Sequence, residues 1–169
     1  MWRNGKVFAT QTTPYLDVEV PPESADYKYT VEVQRGGPFS TKVTATWSFR
    51  SKHVPVTDDP IGSFERVPAT AIGFVPAVDD LNRVAAGQLA IVPITVSAQG
   101  GGKPLKSLTL ESSINDGKAW SKAAVFTAGG SWYALVPQKS GAFVSLRAHG
   151  VDTGNRAIDV TVIRAYQVK

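Results

Sequence analysis

The chain has 169 residues, 43% of them hydrophobic, and its 18 basic and 14 acidic side chains give a net charge of +4. This length allows one domain or two small ones, and the absence of cysteine excludes disulfides and thiolate metal sites. The charges are spread singly instead of clustering between aromatic residues, which argues against nucleic acid as a partner. No apolar run approaches the ~20 residues of a membrane-spanning helix. The 15 glycines and 11 prolines favour short strands and turns.

The first 51 residues predict a small β-sheet segment of four strands. In the last two of these strands apolar and polar residues alternate, which gives each strand one apolar face and fixes its register. The predicted strands are Lys6–Thr10, Tyr15–Val20, Tyr27–Gln34 and Val43–Phe49. About 50 residues cannot bury such a face alone. We therefore expect this segment to belong to a larger sandwich, covered by the second part of the chain, by another copy, or by a part of a parent protein.

Residues 52–68 predict a linker, because three prolines and poor periodicity favour an extended and fairly stiff chain. The best helical candidate follows it at Asp79–Ala86, and it offers one or two turns at most. Trp2–Gly5 predicts a turn instead of a signal peptide. If a parent protein is exported, we expect this chain to be a fragment or its mature portion.

Residues 69–169 predict seven further strands, the number and size typical of an immunoglobulin-like or fibronectin-III-like sandwich. The last two strands flank the turn Asp152–Asn155 and form a hairpin, with Val144, Leu146 and Ala148 on one face. The seven strands are predicted at Thr70–Val75, Leu89–Ala98, Leu105–Ile114, Ala119–Phe126, Ser131–Val136, Ala142–His149 and Ala157–Tyr166. The predicted fold is therefore an all-β antiparallel β-sandwich, with an immunoglobulin-like C-terminal domain after the smaller segment.

The stretch Ser113–Trp120 resembles an Asp-box, the Ser-x-Asp-x-Gly-x-Thr-Trp hairpin, but departs from it at Asn115 and Ala119. Asn, Asp and Gly in succession supply left-handed turn residues, and Trp120 is expected to pack under the hairpin. This pattern favours a role in folding. A calcium or sugar site at Asp116 is the alternative.

Three further acidic residues are candidate calcium ligands, namely Asp79, Asp80 and Asp152. Calcium takes six to eight oxygen ligands, and the sequence shows no denser acidic group. We predict no other cofactor. Trp132 and Tyr133 are candidate binding residues, because neighbours on a strand face opposite sides and an exposed aromatic ring could stack on a sugar.

The sequence predicts no catalytic residue. His53 and His149 are the only histidines and lie in different segments. A nucleophilic triad needs a histidine held by a carboxylate beside an activated serine, and no Gly-x-Ser-x-Gly elbow occurs.

Three passages, taken in their order, resemble the C-terminal non-catalytic region of actinobacterial secreted subtilisin-like serine peptidases. They are Trp2–Lys6 leading to Val20-Pro21, then Thr46–Ser51, then Leu105–Leu108 through Asn115–Trp120 to Val144–Ala148 and Val162–Tyr166. The resemblance implies a secreted accessory region whose partner is an upstream catalytic domain or another copy of the chain. Its role would be to stabilise or position the enzyme, or to contact substrate or cell surface. The alternatives are a stand-alone carbohydrate- or surface-binding module and a structural spacer.

Overall fold

The computed structural model describes residues 1–13, 16–55 and 65–169. Within these ranges the chain forms twelve strands and no helix, so no helix there is long and apolar enough to cross a membrane. The strands are β1 Trp2–Arg3, β2 Lys6–Val7, β3 Ala25–Gln34, β4 Lys42–Ser51, β5 Ala69–Phe74, β6 Arg83–Val84, β7 Leu89–Gln99, β8 Leu105–Ser113, β9 Ser121–Ala128, β10 Ser131–Pro137, β11 Phe143–Asp152 and β12 Ala157–Val168. The all-β class is therefore confirmed.

The strands form one continuous open sheet in the order β2-β1-β3-β4-β12-β11-β8-β9-β10-β7-β5. Along this order every pair is antiparallel, and β6 lies beside the end of β12 in a parallel pair. β9 changes partner along its length, because its first residues pair with β8 and Ala124–Ala128 pair with β10. β4 pairs with β12 from Lys42 to Ser48. The N-terminal strands are thus hydrogen-bonded to the C-terminal strand of the chain.

The seven strands predicted after residue 68 are all present, and the final hairpin is confirmed. β11 and β12 pair around the turn, where the Asp152 amide donates to the Arg156 carbonyl at 2.9 Å and Asn155 has a left-handed φ of 60°. Val144, Leu146 and Ala148 are all buried, as their alternation predicts. Ser145 is buried too, because the ladder is irregular between Val144 and Leu146.

Three local predictions differ from the structure. Residues 16–20 form no strand, and Tyr15 lies outside the described residues. The predicted strand Lys6–Thr10 shortens to Lys6–Val7. The helical candidate is a turn followed by β6, because Asp79 Oδ1 accepts the amides of Leu81 and Arg83 and fixes a turn that a helix would replace. Of the predicted linker, residues 52–55 and 65–68 are described, and neither part contains a strand.

One cluster of buried apolar side chains runs through the sheet. It joins side chains of β5, β7 and β10 to side chains of β8, β11 and β12. Its buried members are Ile72, Val84, Val92, Ile94, Leu108, Leu110, Ala134, Val136, Val144, Leu146, Ala148, Ile158, Val160, Tyr166 and Val168. The apolar face continues onto β3, but there burial decreases along the strand: Tyr27 is 7% exposed, whereas Val31 and Val33 are 37% and 41% exposed.

Candidate functional site

An apolar groove of about 350 Å³ lies where β5 meets the face of β3 and β4. Tyr29 and Trp47 line it and stack on each other, with ring centroids 6.2 Å apart. The indole Nε1 of Trp47 donates a hydrogen bond of 2.8 Å to the Thr70 carbonyl, which holds the start of β5 over β4. The opposite side of the groove is formed by the chain segment 67–71. The result is an aromatic floor beside the edge of a strand.

The aromatic floor follows from the register of β3 and β4. Tyr29 lies directly opposite Trp47, and Tyr27 lies directly opposite Phe49. The second pair is also stacked, with centroids 5.7 Å apart. Directly opposed residues of an antiparallel pair share one face and touch, and aromatic cross-strand pairs stabilise the ladder. The same pairs that fix the register therefore build the floor.

The edge of β5 that faces this floor is paired with no other strand of the described residues. In an antiparallel ladder the backbone groups of successive residues point alternately to one side and the other. The Val75 amide bonds to Pro93 on the β7 side, whereas the Thr70 carbonyl points to Trp47 on the other side. By this alternation the amides and carbonyls of Ile72 and Phe74 also point away from β7. No hydrogen bond joins them to any described residue.

A second groove of about 440 Å³ continues along the same edge, lined by Val43, Ile72, Phe74, Val160 and Val162 among others. Since Trp47 lies against Thr70, and Val43 lies in the groove beside Ile72 and Phe74, the two grooves follow β5 from its start to its end. We call these two grooves together, with the exposed apolar row Val31 and Val33 of β3 beside them, the β5-edge groove.

A buried ion pair closes one end of the β5-edge groove. Arg156 lines the groove, and its Nε donates to Asp152 Oδ2 at 2.8 Å. The carboxylate of Asp152 is only 2% exposed and also accepts the amides of Gly154 and Arg156, at 2.7 and 2.9 Å. Burial raises the pKa of Asp152, but the hydrogen bonds from Arg156 and Gly154 outweigh it and hold this pKa below its ordinary value. Asp152 is therefore ionised at neutral pH and fixes the guanidinium.

The guanidinium of Arg156 keeps unused donors. It carries five N–H groups, yet the bond from Nε to Asp152 is its only side-chain hydrogen bond within the described residues, and the enclosed Nη2 has no partner. Arg50, Lys103 and Asp26 line the adjoining groove next to Arg156. With Asp152 included, three cations face two carboxylates, so this end of the groove is positively charged.

The predicted calcium ligands do not converge. Arg83 Nη2 and Lys169 Nζ approach Asp79 Oδ2 at 3.2 and 3.1 Å beside the end of β12, while Asp152 lies next to its start. The full length of β12 separates the two carboxylates, about 36 Å at the rise of a strand. Burial raises the pKa of Asp79, but hydrogen bonds from Arg83 and Lys169 hold this pKa far below its ordinary value. Asp80 is exposed.

Among the residues that the structure describes, no three acidic or histidine side chains form a cluster that could hold a metal ion. The oxygens of Asp116 are occupied as well, because Arg164 Nε and Nη2 donate to them at 2.8 and 2.7 Å.

The Asp-box-like stretch forms the predicted turn. Asp116 and Gly117 have left-handed φ angles of 57° and 80°. Ser113 Oγ accepts the Gly117 amide at 3.0 Å, and Asn115 Oδ1 accepts the Ala119 amide at 2.9 Å. The turn prediction is confirmed, and the asparagine that departs from the Asp-box pattern supplies a side-chain acceptor.

Trp132 and Tyr133 lie on opposite faces of β10, as predicted. Trp132 packs against the buried cluster. Tyr133 is on the other face and stacks on Phe126, with ring centroids 5.5 Å apart, beside the exposed side chain of Ile91. Of the two candidates, Tyr133 is the one that belongs to the outer face of the sheet.

The two histidines, His53 and His149, lie in different environments. The amide of His53 donates to the Pro22 carbonyl, and its side chain is exposed. The Nδ1 atom of His149 is 2.7 Å from Asp159 Oδ1, across the final hairpin. Alternation alone does not point to this pair, whereas the hairpin register puts His149 directly opposite Asp159. Within the described chain no hydroxyl hydrogen-bonds His149 Nε2, since Thr109 Oγ1 donates to the backbone carbonyl of His149. Among the described residues, the pair therefore has no hydroxyl group as a hydrogen-bond partner.

No protein-family model, no curated protein and no solved structure matches this chain.

Proposed function

We propose that this chain is a non-catalytic recognition module with a β-sandwich architecture, and that its β5-edge groove binds an extended apolar ligand. The sandwich is supported by the buried cluster, in which Val92 of β7 and Leu146 of β11 belong to one set of packed side chains. It is further supported by the hydrogen bond from Trp47 to Thr70, which links β4 to β5 although the two are far apart in the strand order. The immunoglobulin-like form of residues 69–169 stays a prediction.

The observation that carries the proposed function is the uncovered apolar surface beside β5. Val31 and Val33 are 37% and 41% exposed although they share a face with the stacked pair Tyr29 and Trp47. Apolar side chains that remain exposed next to an apolar groove mark binding sites. Along one wall of this groove, Ile72 and Phe74 add backbone donors and acceptors. An extended ligand with apolar side chains satisfies both features.

The wider role that we propose is that of an accessory region of a secreted subtilisin-like serine peptidase. Its support is the order of the three passages in the sequence, and the role would be to hold substrate, to position the enzyme or to contact the cell surface. A reading frame that continues upstream into a peptidase domain is the expected finding. An upstream frame that encodes no hydrolase would contradict this role and leave the recognition module standing.

The non-catalytic part is tested by hydrolysis of casein and p-nitrophenyl acetate. We expect no turnover above background, because the His149–Asp159 pair has no hydroxyl partner in the part of the chain that the structure describes. Turnover that disappears in His149→Ala, with the fold intact, would contradict it.

Binding is tested by titrating the chain with the amidated peptide acetyl-Ser-Val-Thr-Val-Thr-Val-NH₂ in a calorimeter. We expect binding that Val31→Asp weakens at least tenfold, because a carboxylate on the groove floor would oppose apolar contact. Gln34→Asp makes the same charge change on the other face of β3 and is the matched control. Equal affinities of the two variants would show that the groove is not the site.

A second candidate function is carbohydrate binding by the outer face of β9 and β10. The stacked and partly exposed pair Phe126 and Tyr133 favours it, because flat aromatic rings present large apolar surfaces to a ligand. A glycan array tests this candidate. Binding that is lost in Tyr133→Ala would support it, and an array with no signal above background would remove it.

A further inference from the structure

We infer that the β5-edge groove captures the C-terminal end of another polypeptide, which adds to β5 as an antiparallel strand and places its terminal carboxylate on Arg156. This inference rests on the proposed function, because it specifies the ligand of the same groove. Three features carry it: the unpaired edge of β5, the exposed apolar row of β3, and the unused donors of Arg156.

The unpaired edge calls for an extended chain. The amides and carbonyls of Ile72 and Phe74 point away from β7 and have no hydrogen-bond partner among the described residues. Such an edge is a template for a further strand, and addition of an extended peptide is a recurrent mode of recognition. A globular ligand with no free backbone would leave these four groups without partners.

The apolar row of β3 lies where the side chains of an added strand would point. β5 is held over β4 by the bond from Trp47 to Thr70. β3 is the next strand beyond β4, one strand spacing away. A strand added to β5 at the same spacing lies over β3, and every second side chain faces Tyr29, Val31 and Val33. The row is therefore covered by a peptide with apolar residues at alternate positions.

The direction of the added strand places its end at Arg156. β5 runs from Ala69, which lines the groove together with Arg156, to Phe74 at the far end. An antiparallel partner runs the other way, so its C-terminus arrives beside Arg156. A guanidinium binds a carboxylate through strong charge-assisted hydrogen bonds. The Nη1 group of Arg156, which has no hydrogen bond within the described residues and is not enclosed like Nη2, and the positive charge that Arg50 and Lys103 add nearby fit this group.

A second copy that pairs through its own β5 edge does not fit this site. If two copies paired through their β5 edges, the strands that pack under β5 of the second copy would occupy the same space as β3 and β4 of the first. The two sets of strands would therefore collide. A lone extended segment adds to the edge without this conflict. The occupant is therefore the C-terminal segment of a different polypeptide.

The decisive experiment compares two peptides on the unmodified chain. The probes are acetyl-Ser-Val-Thr-Val-Thr-Val with a free carboxylate and the same peptide with a C-terminal amide, both titrated by calorimetry at low salt. We expect the free acid to bind at least tenfold more tightly than the amide. Equal binding of the two peptides would overturn the capture of a C-terminus and leave an apolar recognition groove. Absence of binding by both would overturn this inference and the proposed groove function together.

The variant Arg156→Gln tests whether Arg156 is the group that binds the terminal carboxylate of the peptide. We expect this variant to bind the acid and the amide with equal affinity, at the level at which the unmodified chain binds the amide. Because the change removes the partner of Asp152, folding is checked by circular dichroism, and Arg156→Lys, which keeps the charge, is expected to retain part of the preference for the acid. A folded Arg156→Gln variant that keeps the full preference would overturn the assignment to Arg156. Lys139→Gln, at an exposed lysine that lines none of these grooves, is the control for general loss of positive charge and is expected to change the preference less than threefold.

Discussion

Gly117 shows how one residue holds the Asp-box-like hairpin together. It has a φ of 80°, and a Cβ atom at this position would lie 3.0 Å from Ile163 Cδ1 and 3.1 Å from a ring carbon of Trp120. Glycine is therefore required twice, by the backbone conformation and by the close approach of two side chains. Trp120 is half-buried, and the guanidinium of Arg147 lies 4.6 Å above its ring. The indole thus packs between Gly117 and Arg147 instead of lying in the main cluster.

Gly117→Ala is expected to destabilise the chain by about 2–4 kcal/mol, because a left-handed alanine costs about 1 kcal/mol and overpacking costs about 1–3 more. Gly130→Ala is the matched control, since Gly130 has a φ of 78° and nothing within 4 Å of an added Cβ. The control is expected to cost about 1 kcal/mol. Urea denaturation of both variants measures the difference, and equal costs would contradict the packing of Trp120 on Gly117.

Asp152 is expected to make stability depend on acid pH. Because its pKa in the folded chain is below the unfolded value of about 3.9, its contribution is fully present above about pH 4 and is lost as the pH falls through the folded pKa. Asp152→Asn should lower stability at pH 7 by about 2–3 kcal/mol, because it leaves Arg156 without its counter-charge. It should also flatten the stability profile below pH 4. Asp26→Asn, at an exposed ion pair, is the control, and parallel profiles for Asp152→Asn and the unmodified chain would contradict the assignment.

β12 is an interior strand of the sheet, because it pairs with both β4 and β11 along most of its length. Its alternation was sufficient to predict its existence and its hairpin with β11. The pairing of β4 with β12 could not be predicted, since it joins residues more than 100 positions apart and periodicity carries no information on partners. The predicted strand at residues 16–20 is absent for a related reason, because alternation marks an apolar face but does not place the segment beside another strand.

The site was harder to predict than the strands. Trp47 lies on the apolar face that alternation predicts for residues 43–49, and it packs against the buried cluster. Its role in the groove depends on Thr70, which belongs to a distant strand. Arg156 follows a turn, and nothing in its local pattern distinguishes it from other surface arginines. It becomes a candidate only because Asp152 and the edge of β5 are brought to it.

A fragment of residues 1–52 is expected not to form a soluble, folded monomer. The fragment would keep β3 and β4 but lose β12, which pairs with β4, and β5, which Trp47 holds over the same face. About 50 residues cannot bury the exposed apolar face that remains. Analytical ultracentrifugation and circular dichroism of the fragment and of the whole chain measure this. A monomeric fragment with native-like strand content would contradict the dependence of β3 and β4 on the rest of the sheet.

At the level of the whole molecule, one sheet crosses the boundary between the two segments that the sequence predicts. β12 of the C-terminal segment is a direct neighbour of β4 of the N-terminal segment. The segments 1–51 and 69–169 therefore share a hydrogen-bonded ladder whatever the path of the residues between them. Shared ladders couple the stability of the parts that they join.

Thermal unfolding is expected to occur in one cooperative transition, with equal calorimetric and van't Hoff enthalpies. Differential scanning calorimetry measures both quantities. As a control, Val43→Asp, which puts a charge into the β4–β12 ladder beside Val162, should lower the temperature of the single transition. Two separated transitions in the unmodified chain would show that the N-terminal and C-terminal segments unfold independently.

Strand addition at β5 is tested most directly by amide hydrogen exchange at two residues, measured by NMR without and with a saturating amount of acetyl-Ser-Val-Thr-Val-Thr-Val. The amides of Ile72 and Phe74, which point away from β7, should exchange rapidly in the free chain and at least tenfold more slowly with peptide. The Gly73 amide, which points towards β7, should be protected in both states and serves as the internal control. Unchanged exchange at Ile72 and Phe74 under saturating peptide would contradict strand addition at β5.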